Sequence, residues 1–67
     1  MNTRCIALQT LYGGAQKQQQ RNLTRIAAGT LGYVRAWFVD TDGTQYLLAR
    51  FGPLWVRCAP QCVQLIP

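Results

Sequence analysis

The sequence contains no histidine and only two acidic residues, Asp40 and Asp42, which fall in one short segment. Acid–base catalysis usually needs a histidine or paired carboxylates held in a cleft, and a cysteine nucleophile needs a partner that stabilises its thiolate. Arg57 could stabilise the thiolate of Cys58, but neighbouring strand residues point to opposite faces. No phosphate-binding loop or dinucleotide fingerprint is present. We therefore expect no catalytic residue, no cofactor and no enzymatic activity.

The three cysteines, Cys5, Cys58 and Cys62, are an odd number, so a complete internal disulfide framework cannot form. A closed zinc site needs four nitrogen or sulfur ligands, and there is no histidine to complete one. We expect reduced thiols that fill the core, no metal site and a cytoplasmic location.

Long apolar runs are also absent. The segment Cys5–Leu8 is far too short for the core of a signal peptide, and no segment approaches the about 20 apolar residues of a membrane-spanning helix. We expect neither a targeting segment nor a membrane contact. With 67 residues, of which 49% are hydrophobic, residues 1–67 should form one folded domain with a small core, which self-association could supplement.

The formal net charge is +5, from seven basic and two acidic residues. Because both acids lie close together, the potential over the remaining surface should be positive. Such a charge either keeps a small protein in solution or attracts an anionic partner. Charge alone does not decide between these two explanations.

A meander of three antiparallel strands is predicted in the second half of the chain. The Asp-Thr-Asp-Gly run at residues 40–43 is typical of a hairpin turn between strands rich in β-branched and aromatic residues. Gly52 and Pro53 form a second break. The predicted strands run from about Thr30 to Val39, Thr44 to Phe51 and Leu54 to Cys58.

Period-two alternation divides these strands into two faces, and arginine, which is rarely buried without a partner, marks the outer one. The predicted inner residues are Val34, Ala36, Phe38, Leu47, Ala49, Phe51, Leu54, Val56 and Cys58. The predicted outer residues are Tyr33, Arg35, Trp37, Tyr46, Leu48, Arg50, Trp55 and Arg57.

The flanking segments supply the remaining predictions. A first strand should occupy the apolar run from Arg4 to Leu11, with Ile6 and Leu8 inward. Residues 13–22, polar and rich in glutamine, should form a flexible loop, although their helix-forming residues keep a marginal helix as an alternative. The chain turns apolar again over 23–28. One turn of tight helix is expected at 59–61, then a closing strand over 62–66 with Val63 and Leu65 inward.

This order of strands and breaks, together with Gly29-Thr30-Leu31-Gly32-Tyr33-Val34, resembles the SH3-like small barrels over nearly the whole chain. The resemblance implies an all-β, five-stranded SH3-like barrel with a long polar loop after the first strand. It implies little about function, because the class hosts many unrelated activities.

Two branches of the class fit the residues poorly. Peptide-binding SH3 domains carry an acidic first loop, whereas residues 13–22 contain no acid. The plasmid-type dihydrofolate reductases carry a Val-Gln-Ile-Tyr motif, and the matching strand here reads Val-Arg-Cys-Ala over Val56–Ala59. An echo of that motif over Val63–Ile66 falls on the closing strand and lacks the tyrosine.

The predicted outer face is therefore the candidate functional surface. Exposed aromatic rings stack on bases and interleaved cations meet phosphates, so this face has the components of a DNA- or RNA-binding platform. Lys17, Arg21 and Arg25 could add phosphate contacts, although the loop that carries the first two could equally be a solvated connector. The same residue types dominate protein–protein hot spots. A protein-binding regulator or inhibitor, or a homo-oligomeric scaffold, therefore remains an alternative.

Overall fold

The structure, a computed structural model, describes residues 3–18 and 20–67. Over these residues the chain is all-β apart from one turn of 3-10 helix at Pro60–Cys62, close to the turn of helix expected at 59–61. None of the described residues belongs to a helix long and apolar enough to cross a membrane. The strands are β1 (Thr3–Ala7), β2 (Leu11–Gly13), β3 (Thr24–Ile26), β4 (Leu31–Val39), β5 (Gln45–Phe51), β6 (Leu54–Cys58) and β7 (Val63–Ile66).

Five of these strands form one antiparallel sheet in the order β6-β5-β4-β1-β7, and β2 pairs with β3 in a separate two-stranded sheet. Gly14 links the two sheets by exchanging two backbone hydrogen bonds with Trp55, at N···O distances of 3.0 and 2.7 Å. The β2–β3 hairpin is thereby fixed beside β6.

The predicted hairpin turn between β4 and β5 is confirmed. The amide of Asp40 donates to the carbonyl of Thr44 at 2.8 Å, and Gly43 adopts a φ of 87°, which glycine tolerates best. Both carboxylates of the turn accept hydrogen bonds from its backbone amides. Asp40 Oδ1 accepts from the Thr41 amide, and Asp42 Oδ1 accepts from the Thr44 amide at 2.9 Å, which lowers the pKa of Asp42.

The core lies between the sheets and confirms most of the predicted inner residues. Leu47 and Ala49 are completely buried. The partly buried side chains of Leu54, Cys58 and Cys62 pack against the buried core residues. The buried members are Cys5, Ala7, Leu11, Ile26, Val34, Leu47, Ala49, Phe51, Val56 and Val63. At Gly32 a Cβ would lie 2.6 Å from both the Arg50 carbonyl and the Phe51 ring, so β4 and β5 approach too closely there for any side chain.

A β-bulge at Arg35 overturns the prediction for the second half of β4. Val34 pairs with Ala49 and Ala36 pairs with Leu48, so Arg35 is an extra residue without a partner on β5. An extra residue reverses the alternation for everything that follows it. Trp37 consequently lies opposite the buried Leu47, on the core side of the sheet. Ala36 and Phe38 lie on the outer side, contrary to prediction.

The predictions for the first and last strands of the chain, β1 and β7, were partly wrong. In β1 the buried residues are Cys5 and Ala7, whereas Ile6 is half-buried and Leu8 is 53% exposed. In β7 Val63 is buried as expected. Leu65 shares the side of Cys5 but remains 46% exposed, because β7 is the edge strand and little covers its end.

The long polar segment proves to be the tip of a hairpin. Leu11 pairs with Ile26, and both side chains join the core, which anchors the base of the hairpin. Residues 14–18 and 20–22 contain no helix, so the helical alternative is not supported, and Gln19 lies outside the described residues. Gly13 allows the hairpin to approach β6, since a Cβ there would lie 2.9 Å from the Trp55 carbonyl and from Val56.

Candidate nucleic-acid interface

The candidate site is the solvent side of β4, β5 and β6, together with the hairpin tip that leans over it. Register places its residues in three cross-strand rows: Tyr33–Arg50–Trp55, Ala36–Leu48–Arg57, and Phe38–Tyr46. We call these eight residues, the bulged Arg35 and Lys17 of the hairpin tip the outer face. Period-two alternation places every second residue of β5 and β6 in these rows, and the bulge determines which residues of β4 join them.

Trp55 lies at the centre of a group of cations. Lys17 Nζ is 5.2 Å from the centroid of its ring, and the guanidinium carbons of Arg50 and Arg35 are 5.1 and 5.9 Å away. A cation at this range is attracted by the negative face of an indole. Arg50 is further restrained because its Nε donates to the Gly52 carbonyl at 3.0 Å. The ring therefore holds three positive charges together that would otherwise repel one another.

A second aromatic group lies beside the first. Tyr46, on the central strand of the three, stacks on Phe38 of β4 with centroids 5.1 Å apart and planes 20° from parallel. From the other neighbouring strand, the guanidinium carbon of Arg57 lies 4.9 Å from the Tyr46 ring. This arrangement fixes a fourth cation on the outer face.

Neither acid of the chain belongs to the outer face. Asp40 and Asp42 are the only acidic residues, and both carboxylates accept hydrogen bonds from backbone amides of their own turn. Lys17, Arg35 and Arg50 thus have an aromatic ring as their common neighbour instead of a carboxylate. Their positive charge remains available to an external anion.

Two hollows open on the outer face. Hollow A has a volume of about 290 Å³ and is lined by Lys17, Gln18, Ala36, Phe38, Tyr46, Leu48 and Arg57. Hollow B has a volume of about 260 Å³ and is lined by Tyr12, Lys17, Gln20, Leu23, Trp55 and Arg57. Lys17 and Arg57 line both, so the hollows meet at a pair of cations. Leu48, only 8% exposed although it lies on the outer side, forms part of the floor of hollow A.

Seven of the predicted site residues are brought together on the outer face: Lys17, Tyr33, Arg35, Tyr46, Arg50, Trp55 and Arg57. Arg25 pairs with Tyr12 and so lies at the margin of hollow B. Arg21 is exposed at the hairpin tip and lines neither hollow.

Trp37 is separated from this group by the reversed alternation. The residue is 47% exposed on the opposite side of the sheet, where its Nε1 donates to Gln45 Oε1 at 3.2 Å. Sequence reasoning missed Phe38 for the same reason. It also missed Tyr12 and Gln18, for which the sequence offered no signal, because only the docking of the hairpin brings them to the site.

The cysteines lie away from the outer face and are free. Burial, with smaller contributions from the nearby thiols of Cys62 and Cys5, raises the pKa of Cys58 to about 11. Burial also raises the pKa of Cys5. At neutral pH Cys58 is therefore a protonated thiol, which is a poor nucleophile. Among the described residues no group of three or more cysteine and acidic side chains is arranged to hold a metal ion.

Comparison of the chain with protein-family models, with curated proteins and with solved structures finds no match.

Proposed function

We propose that the chain is a small, non-enzymatic SH3-like barrel that binds nucleic acid through the outer face. The observation that carries this proposal is the group of four cations, Lys17, Arg35, Arg50 and Arg57, held against Trp55 and Tyr46 on a surface without a carboxylate. The three free thiols are compatible with a reducing, cytoplasmic location.

Two features support the barrel assignment. The first is the sheet itself, in which the strands have the order β6-β5-β4-β1-β7 and a 3-10 turn precedes the last strand, β7. The second is the β2–β3 hairpin, which lies between β1 and β4 in the chain, at the position of the long first loop of that class. The paired hydrogen bonds between Gly14 and Trp55 join the β2–β3 hairpin to β6.

Phosphate binding follows from the arrangement of the cations. Lysine and arginine that neutralise phosphates release condensed counterions, and this term supplies most non-specific affinity for nucleic acid. Cations that are already oriented by aromatic rings lose less conformational freedom when the ligand arrives. Arg35 and Arg50, both near Trp55, meet this condition.

A protein partner is the second candidate, favoured by the exposed apolar rings that accompany the cations. Tyr12 is 57% exposed, Tyr33 48% and Phe38 41%. Tyrosine, tryptophan and arginine are the residues that dominate protein hot spots, and self-association through the same face would use them equally.

Salt dependence distinguishes the two candidates. Titration of the chain with labelled single-stranded and duplex oligonucleotides at about 50 and 200 mM salt should give a slope of log K against log[salt] near −3 for four phosphate contacts. The affinity should therefore fall roughly sixtyfold over this range. A protein hot-spot interface would change far less.

A pair of charge-matched variants tests the location. Arg57→Gln should make the slope shallower by about 0.7 to 0.9, the value of one phosphate contact. Arg4→Gln removes the same charge from β1, where the guanidinium donates to the Pro67 carbonyl, and should change the slope much less. Absence of binding to either form of nucleic acid, or equal effects of the two variants, would show that the outer face is not a nucleic-acid site.

A further inference from the structure

The two hollows and the cation pair between them indicate the form of the ligand. We infer that the outer face binds single-stranded nucleic acid, with one phosphate at Lys17 and Arg57 and the two adjoining bases in hollows A and B. This inference rests on the proposed function and adds to it the strandedness of the ligand and the position of two nucleotides.

The order of chemical groups across the site carries the inference. Among the described residues, Lys17 and Arg57 line both hollows, so positive charge lies between two cavities that each contain aromatic rings. A dinucleotide step has the matching order, with an aromatic base, an anionic phosphate and a second aromatic base. No acidic residue interrupts the path, because both acids are in the β4–β5 turn.

Each hollow has a size and lining suited to one ring system. Their volumes of about 290 and 260 Å³ lie just below the roughly 300–1,000 Å³ of pockets for drug-sized ligands. Hollow A offers an apolar floor at Ala36 and Leu48 and a ring wall at Phe38. The Gln18 amide on its rim can both donate to and accept from the edge of a base.

Hollow B combines the same kinds of side chain, which are aromatic rings, an apolar residue and a glutamine. Tyr12 and Trp55 supply its rings, Leu23 supplies an apolar contact and Gln20 lies on the rim. Trp55 keeps only part of its surface open, and three cations already surround its ring. A base entering hollow B would therefore meet guanidinium groups as well as rings, and both stack on bases.

A duplex cannot use these cavities. Its bases are paired and stacked, so their faces are hidden and only its phosphates can reach the outer face. A single strand can offer both phosphate and bases. We therefore expect a single strand to bind about tenfold or more tightly than a duplex of the same sequence, the effect of one to two stacked bases.

The experiment compares ligands that share a phosphate backbone but differ in their bases. The full chain carrying Trp37→Phe, in which Trp55 is the only tryptophan, is titrated at low salt with oligothymidine and its duplex with oligoadenosine. An abasic strand of equal length and the corresponding RNA strand are the other ligands. We expect Trp55 fluorescence to respond most to the single strands that carry bases. The DNA and RNA arms show which sugar the site accepts.

Variants of hollow A complete the test without changing the charge. Ala36→Leu should fill hollow A and weaken single-strand binding about tenfold, and duplex binding much less. Ala28→Leu adds the same side chain at an exposed turn and should change neither. If Ala36→Leu does not fold, Phe38→Ala, which removes the exposed wall of hollow A, should show the same selective loss.

The possible outcomes separate the two proposals. Equal or tighter binding of the duplex or the abasic strand, with no effect of either hollow A variant, would overturn the placement of bases but leave nucleic-acid binding intact. Failure of all four ligands to bind would overturn the proposed function itself.

Discussion

The two tryptophans provide the sharpest test of the outer face, because alternation without the bulge would put both on the same side. In the structure Trp55 contacts three cations at 5.1 to 5.9 Å, whereas Trp37 lies on the opposite side of the sheet beside Leu47. Trp55→Ala should therefore weaken nucleic-acid binding, and Trp37→Ala should not.

The expected loss can be worked out from the contacts of Trp55. Each exposed cation–π contact contributes about 0.5–1 kcal/mol. Removing the ring therefore removes three such contacts, with a total of about 1.5–3 kcal/mol, and the three cations lose their fixed orientation. Only part of this energy contributes to the binding free energy of the ligand. Loss of a base stacked on Trp55 would add about 1–3 kcal/mol to the loss. We expect Trp55→Ala to lose about 2 kcal/mol of binding free energy, which is roughly a thirtyfold rise in Kd.

Trp37→Ala is the matched control, and its effect should be on stability instead. The substitution removes a half-exposed ring and one 3.2 Å hydrogen bond to Gln45, which should cost about 1–2 kcal/mol of unfolding free energy. Fluorescence anisotropy of a labelled oligonucleotide measures binding, and urea unfolding followed by circular dichroism measures stability. If folded Trp37→Ala lost as much affinity as Trp55→Ala, the assignment of the two faces would be wrong.

Two further predictions concern the fold. Gly32→Ala should lower the free energy of unfolding, measured with urea, by about 1–3 kcal/mol, because the added Cβ would lie 2.6 Å from the Arg50 carbonyl oxygen. Unchanged stability would contradict this packing of β4 against β5. Stability should also decline as pH rises from 9 to 11, since the thiol of Cys58 ionises at its ordinary pKa of 9.0 when unfolded but only at about 11 when folded. Urea midpoints across this range should fall less in Cys58→Ala, and an equal fall in both proteins would show that another group titrates.

The sequence determined the features that depend on neighbouring residues. The Asp-Thr-Asp-Gly turn formed where its chemistry required, because the carboxylates bond to amides one and two residues away and Gly43 tolerates positive φ. Alternation correctly assigned Leu47, Ala49 and Phe51 to the core, since β5 is an interior strand and Tyr46 and Arg50 mark its other side. The aromatic and arginine residues of β5 and β6 were predicted on the outer side for the same reason.

Tertiary structure alone decided the features that depend on a distant partner. The bulge at Arg35 exists only in relation to β5, and after it the apolar run from Ala36 to Val39 could face either way. The run Cys5–Leu8 is apolar at every position, so only pairing with β4 and β7 could choose Cys5 and Ala7 for the core. Lys17 reaches Trp55 because Gly14 bonds to β6, a contact between residues far apart in the chain, which no local pattern encodes.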